Sequence, residues 1–202
     1  MLAYLLVVVI SYFMGTISCA YLISKYVFSS DIRKYGSKNP GTTNMLRTFG
    51  KRAGAVTLIG DYLKGTLAVL ISIFLAKKMG SDPDLAKYIS ALAVVCGHNW
   101  SIFMRFRGGK GVATSYGAML AIYPLMTLAS MVFYIIILLV TRYVSIASML
   151  GVCLFPILML MTKDMSGVWV GILLSVSVVY KHRENIRKLL SGTENRFGSK
   201  VK

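Results

Sequence analysis

The chain has 202 residues, 56% of them hydrophobic, with a mean hydropathy of +0.67 and a formal net charge of +16. That length suits a single domain, and its repeated apolar runs exclude a soluble fold, since ~20 apolar residues already span a hydrocarbon core. The expectation is an all-α, polytopic integral membrane protein, one domain over residues 1–202, whose basic residues set orientation rather than bind nucleic acid.

Residues 1–24 carry no charged side chain, and no Lys or Arg precedes Lys25. The basic leader of a secretory signal is therefore missing, and the run reads as a mature first helix. Apolar runs follow at 53–76, 88–104, 112–141, 144–161 and 167–180. Asp61 and Lys64 interrupt the run 53–76 one helical turn apart, and charges in a membrane helix are costly unless paired, so they are expected to pair. Tyr123-Pro124 divides the run 112–141, because proline interrupts a helix and restricts the residue before it. A turn there gives seven helices, some short or tilted; one tilted 30-residue helix would give six. Cys19, Cys96 and Cys153 fall in apolar runs and read as small buried fillers, not as disulfide partners or metal ligands.

Eighteen of the 23 Lys and Arg lie in 25–52, in 105–110, at Arg142 and in 181–202. The cytoplasmic excess of such residues favours seven crossings, with the N-terminus outside and the C-terminus in the cytoplasm. Six crossings would break that rule at one end. Three polar islands then meet at the cytoplasmic face.

The first island, residues 35–50, reads YGSKNPGTTNMLRTFG. Asn39-Pro40 resembles a helix cap followed by a first helical residue. Ser37, Thr42, Thr43 and Asn44 suit tight turns, and equally suit hydrogen bonding to glycerol or phosphate oxygens. Arg47 has the fork that grips two phosphate oxygens.

The second island, residues 106–114, reads FRGGKGVAT. A nucleotide-binding loop needs a glycine five residues before Gly109 and a hydroxyl after the lysine; the chain has Met104 and Gly111 there. Neither a flanking strand pattern nor a set of acidic magnesium ligands accompanies it. An anion cradle fits better. Gly108, Gly109 and Gly111 let backbone N–H groups approach an anion. A helix opening at Val112, with Ala113 and Thr114 in its first turn, points its positive end at the loop. Lys110 adds a full charge. The alternative is a basic connector touching anionic headgroups.

In the third island, residues 180–195, His182 and Asn185 share a helix face with Leu189, and Glu184 and Lys188 have ion-pair spacing. Ser145, after Arg142, falls on the same side as the islands. His98 and His182 have no Cys, Asp or Glu cluster beside them, and no metal or other cofactor is expected.

Together, residues 36–44 (GSKNPGTTN) with Arg47, residues 108–114 (GGKGVAT) and residues 182–185 (HREN) resemble one family. It is the bacterial acyl-phosphate:glycerol-3-phosphate acyltransferases (PlsY). The resemblance extends to Asp61, Lys64, Gly65, the turn 142–145 and Glu194, and covers nearly the whole chain. Thr42 departs from the alanine common in the family. The resemblance implies a seven-helix enzyme of the inner (cytoplasmic) membrane, with its active site facing the cytoplasm. It would move an acyl chain from acyl-phosphate to the sn-1 hydroxyl of glycerol-3-phosphate, giving lysophosphatidic acid, the first acylation of phospholipid synthesis. Its polar site residues would be Ser37, Arg47, Lys110, Ser145, His182 and Asn185. Asn39, Thr42, Thr43, Asn44 and the loop from Gly108 to Thr114 would bind substrate and phosphate.

The His-x4-Asp motif of thioester-dependent acyltransferases is lacking, since Phe103 and Arg187 stand five residues after His98 and His182. A mixed anhydride needs no nucleophilic intermediate, so juxtaposition and charge neutralisation would do most of the work. Either His182 takes the hydroxyl proton, or the donor phosphate does and His182 is only a hydrogen-bond donor. The enzyme would act as a monomer. A transporter or a lipid-binding scaffold are the competing classes, but transporter sites sit among repeats at the bilayer midplane, and this chain has no repeat.

Overall fold

The computed structural model describes residues 1–198, so Lys200 and Lys202 of the basic C-terminal region lie outside the described residues. The described residues form nine α-helices and two short 3-10 turns, with no strand. Among the described residues, three spans are long and apolar enough to cross a membrane by length and composition: Leu2–Tyr26, Thr42–Lys78 and Pro124–Thr141. A fourth arises if Met165–Lys181 and Arg183–Leu190, bent by 57°, count together; Val112–Ile122 and Val144–Leu160 are apolar but shorter.

The first apolar run is not one helix. α1 (Leu2–Thr16) and α2 (Cys19–Tyr26) are separated where Ile17 is extended and Ser18 caps α2 by accepting from the Tyr21 N–H at 3.3 Å. The break frees the Ile17 carbonyl, which accepts from Lys64 Nζ at 2.7 Å. α3 (Thr42–Lys78) begins well before residue 53 and kinks at Gly50, whose φ of 88° is open to glycine at little cost. α4 (Pro83–Asn99) starts on the side-chain cap of Asp82. α5 (Val112–Ile122) and α6 (Pro124–Thr141) break at Tyr123, as the proline dictates. α7 (Val144–Leu160), α8 (Met165–Lys181) and the short α9 (Arg183–Leu190) complete the order.

α3 packs against α1, α4 and α5, while α7 lies between α6 and α8. Tyr116, Met119, Phe155, Leu174 and Val178 are buried between helices, whereas Leu67, Phe74, Leu139, Val140 and Trp169 point outward. Lipid is as apolar as leucine, so close packing and polar contacts hold such helices together. A Cβ on Gly97 would fall on the Tyr12 carbonyl, which marks a close α1–α4 crossing. Ser11 bridges to Ser90 at 2.8 Å and to Ser72 at 3.2 Å. At the end of the bundle away from loop 105–111, Asp164 caps α8 through the Gly167 N–H and also accepts from the Tyr88 and Tyr123 hydroxyls.

Asp61 and Lys64 form the expected ion pair, at 2.8 Å, and both are buried. Removing one partner strands a charge, so Asp61→Ala is expected to destabilise the fold by about 3 kcal/mol, read as a lower unfolding temperature in detergent. The cysteines correct the sequence expectation. All three are free thiols, but none is fully buried and Cys96 is exposed on the outer face, where lipid solvates a thiol as well as the core does.

Candidate active site

Asp31 accepts from the Arg33 N–H at 3.0 Å, caps the 3-10 turn Ile32–Lys34 and pairs with the Arg33 guanidinium at 2.7 Å. Asn44 then ties the first polar island together. Its amide nitrogen donates to the carbonyls of Ile32, Tyr35 and Asn39 at 3.0 to 3.3 Å, and its Oδ1 accepts from the Ser37 N–H at 3.0 Å. Asn44, expected to bind substrate, thus has its polar atoms committed to shaping the loop. The cap expected at Asn39-Pro40 is also corrected. α3 starts at Thr42 with Gly41 as its cap, the Gly41 carbonyl accepting from Asn44 and Met45.

The second island turns back on the end of α4. Arg105 and Phe106 adopt left-handed φ values of 51° and 60°, and the Gly109 N–H donates to the His98 carbonyl at 3.1 Å. A Cβ on Gly109 would fall on the His98 imidazole. Gly109 is therefore needed for packing against α4, not for contact with an anion, and it lines neither cavity. Thr114 lines neither one either; its hydroxyl is buried without a partner. Gly111, left-handed at φ 79°, opens α5, whose unpaired first-turn N–H groups face the groove described next.

Two cavities meet at this end. One, of about 420 Å³, is strongly cationic: among the described residues Lys38, Arg107, Lys110, Lys181, Arg183 and Lys188 line it against a single acid, Glu184, together with Ser37, Asn39 and Gly108. The other, of about 430 Å³, is a groove lined by Leu58, Tyr62, Tyr116, Met131, Tyr134 and Ile135, with Arg47, Thr42, Thr43, Val112, Ala113, Ser145 and His182 at its polar end. Ser37, Asn39, Lys110 and Asn185 line both. The dividing wall is a hydrogen-bonded chain. Lys110 Nζ donates to Asn185 Oδ1, Asn185 Nδ2 donates to Glu194 Oε1 at 2.7 Å, and Ser145 Oγ donates to the same oxygen at 3.0 Å. Arg47 Nη2 holds the Asn195 carbonyl at 3.1 Å, which fastens the tail over the site. Glu194 is a central group that the sequence offered only as part of a tail. The expected Glu184–Lys188 ion pair is not formed among the described residues; Lys188 turns to the cationic cavity instead.

Burial pushes the Lys110 ammonium down to about 8, opposed by Glu194 and reinforced by Lys188, Arg47 and Lys181. The sign matters for anion binding. Below pH 8 the cation is present, and above it affinity for an anion at Lys110 should fall by about tenfold per pH unit. The check is the pH dependence of kcat/KM, with an alkaline limb near pH 8 that Lys110→Arg moves upward.

This architecture has relatives. A family model described as glycerol-3-phosphate acyltransferase matches residues 5–192. Glycerol-3-phosphate acyltransferases of Clostridioides difficile and Burkholderia pseudomallei are 49% and 40% identical to the chain, each comparison covering 98% of this chain and 97% of the relative. The chain belongs to the glycerol-3-phosphate acyltransferase family. Two crystal structures of PlsY (YgiH), an integral membrane glycerol 3-phosphate acyltransferase, share its fold. The glycerol 3-phosphate form superposes with a TM-score of 0.87 at 35% identity, covering 96% of each chain. The lysophosphatidic acid form gives 0.84 at 34% identity, covering 96% of this chain and 95% of that one.

Within this acyltransferase fold, His182 is buried at the α8–α9 junction and lines the groove. Its Nδ1 lies 2.8 Å from the Val178 carbonyl. A carbonyl only accepts, so Nδ1 carries the proton and the neutral ring presents a lone pair at Nε2. Burial and the nearby Lys110 cation push this histidine down to about 3, so it is neutral near pH 7. Of the two roles set out for it, base or hydrogen-bond donor, an unprotonated Nε2 is compatible with the first and not with the second.

Proposed function

We propose that this membrane acyltransferase transfers the acyl group of acyl-phosphate to the sn-1 hydroxyl of glycerol-3-phosphate, releasing lysophosphatidic acid and phosphate. The observation that carries this reading is the pair of cavities sharing the Lys110–Asn185 wall, one polar and cationic, the other apolar with a polar end. A small dianion suits the first cavity, and an acyl chain with a phosphate head suits the second. Lys110 would touch both phosphates, Arg47 and the start of α5 would hold the donor phosphate, and Ser37, Ser145 and Asn185 would orient polar oxygens.

The hydroxyl oxygen attacks the acyl carbonyl carbon, the bond from that carbon to the phosphate oxygen breaks, and the hydroxyl proton passes to the departing phosphate. His182 Nε2 would accept from the hydroxyl and aim it, since a ring so weakly basic orients a proton better than it keeps one. His182→Gln, whose amide oxygen can also accept, is then expected to retain about a tenth or more of kcat. A loss as complete as that of Lys110→Ala would instead make His182 the base.

The charge distribution supports seven crossings in the inner membrane, with the N-terminus outside and the site facing the cytoplasm. The enzyme would work as a monomeric single domain. Purified protein supplied with acyl-phosphate and glycerol-3-phosphate should form lysophosphatidic acid and phosphate in equal amounts. Product from acyl-thioester alone, or none from a folded preparation, would overturn the reading.

A further inference from the structure

His98 has no role in the scheme above, yet it lines the groove and is only 7% exposed. Behind it lies Lys64, whose Nζ is 2.8 Å from His98 Nδ1, 2.8 Å from Asp61 Oδ1 and 2.7 Å from the Ile17 carbonyl. The Asp61 contact is an ion pair, while the Ile17 carbonyl and Nδ1 stand in hydrogen-bond geometry to Nζ, and an ammonium has protons to give and no lone pair to receive one. Nδ1 is therefore an acceptor, and the imidazole carries its proton on Nε2. Asp61 Oδ1 is 3.8 Å from Nδ1, too far for a hydrogen bond, so the carboxylate balances Lys64 and leaves the ring alone.

The opposite edge of the ring faces the loop. Nε2 lies where a Cβ on Gly109 would fall, and no acceptor for its proton is found among the described residues. The groove wall beside it includes Lys110, Gly111, Val112 and Ala113, and His98 does not line the cationic cavity. A buried N–H of fixed tautomer thus lies against the loop at Gly109, next to the residues where a loop cation and a helix N-terminus line the groove.

We propose that His98 is a substrate-contacting residue, its Nε2–H donating to a phosphate oxygen of the acyl-phosphate held in the groove, with Lys64 and Asp61 as positioning residues that set its tautomer. The assignment rests on the two-cavity reading of function. It also gives a reason for the break between α1 and α2: the freed Ile17 carbonyl accepts one Lys64 proton and His98 another, while Asp61 balances the charge.

The test uses purified full-length protein and separate kinetics for each substrate. In His98→Asn the side-chain oxygen sits near the place of Nδ1 and still accepts from Lys64, while the place of Nε2 is empty; in His98→Gln the amide reaches that place. His98→Asn is expected to lower kcat/KM for acyl-phosphate by about 10- to 100-fold, the range for a hydrogen bond to a charged group, with KM for glycerol-3-phosphate unchanged and most of the loss recovered in His98→Gln. Unchanged acyl-phosphate kinetics in His98→Asn overturns the proposal, and so do equal losses for both substrates with no recovery in His98→Gln, which indicate mere support of the loop. A second measurement needs no variant. In protein labelled with nitrogen-15 at histidine, adding a long-chain acyl phosphonate should shift the His98 Nε2–H resonance downfield, and an unmoved resonance under saturating analogue overturns the proposal. Wild-type protein that forms no lysophosphatidic acid would count against the functional reading itself, a result separate from these.

Discussion

Lys110→Ala is expected to reduce kcat/KM by about 1000-fold, the largest loss of any single substitution in the site. Lys110 lines both cavities and sits at the head of the chain through Asn185 and Glu194 to Ser145. Both substrates of the proposed reaction are phosphate anions, and bringing them together without a shared cation opposes like charges in a partly desolvated space. The loss should therefore appear in kcat as well as in KM for either substrate. Lys110→Arg keeps the charge, but its planar fork does not reproduce the compact ammonium at Asn185 Oδ1, so it should recover only part of the rate. Steady-state kinetics on purified variants decide the matter; an alanine variant within tenfold of wild type would remove Lys110 from the centre of the mechanism.

Glu194→Ala is expected to lower activity by about 100-fold, and Glu194→Gln by much less at pH 7. One carboxylate oxygen accepts from both Ser145 and Asn185. Alanine leaves both donors without it and loosens the wall that aims Lys110, while glutamine keeps an acceptor oxygen and removes only the charge. The charge has its own signature. Glu194 holds the Lys110 ammonium up against burial, so Glu194→Gln should move the alkaline limb of the pH profile below its wild-type position near pH 8. An unmoved limb would show that the carboxylate acts through hydrogen bonds alone.

Much of the scaffold was legible without coordinates because membrane helices obey strong local rules. The proline after Tyr123 divides α5 from α6 for a reason internal to two residues. Asp61 and Lys64 were bound to meet, since one helical turn separates them and hydrocarbon solvates neither charge. The break at Ile17 was hidden, because an apolar run that ignores Ser18 looks continuous. The site divides in the same way. Ser37, Arg47, Lys110, Ser145, His182 and Asn185 carry polar chemistry in loops or in the opening turns and caps of helices, and all of them line a cavity. Gly109 and Thr114 share the loop's motif but turn to packing. Asn44 does line the groove, but its polar atoms brace the loop.

By itself the sequence determined the class of the molecule and its inventory of cations, hydroxyls and glycines, because hydropathy and local breakers act over a few residues. Only the tertiary structure decided which of those groups line a cavity. Glu194 stands 49 residues from Ser145, and His98 stands 34 from Lys64. Their contacts exist because helices far apart in the chain end at the same place, and periodicity carries no record of that. The tautomers of His98 and His182 were settled in the same way, by which buried neighbour gives or takes a proton: Lys64 for one, the Val178 carbonyl for the other.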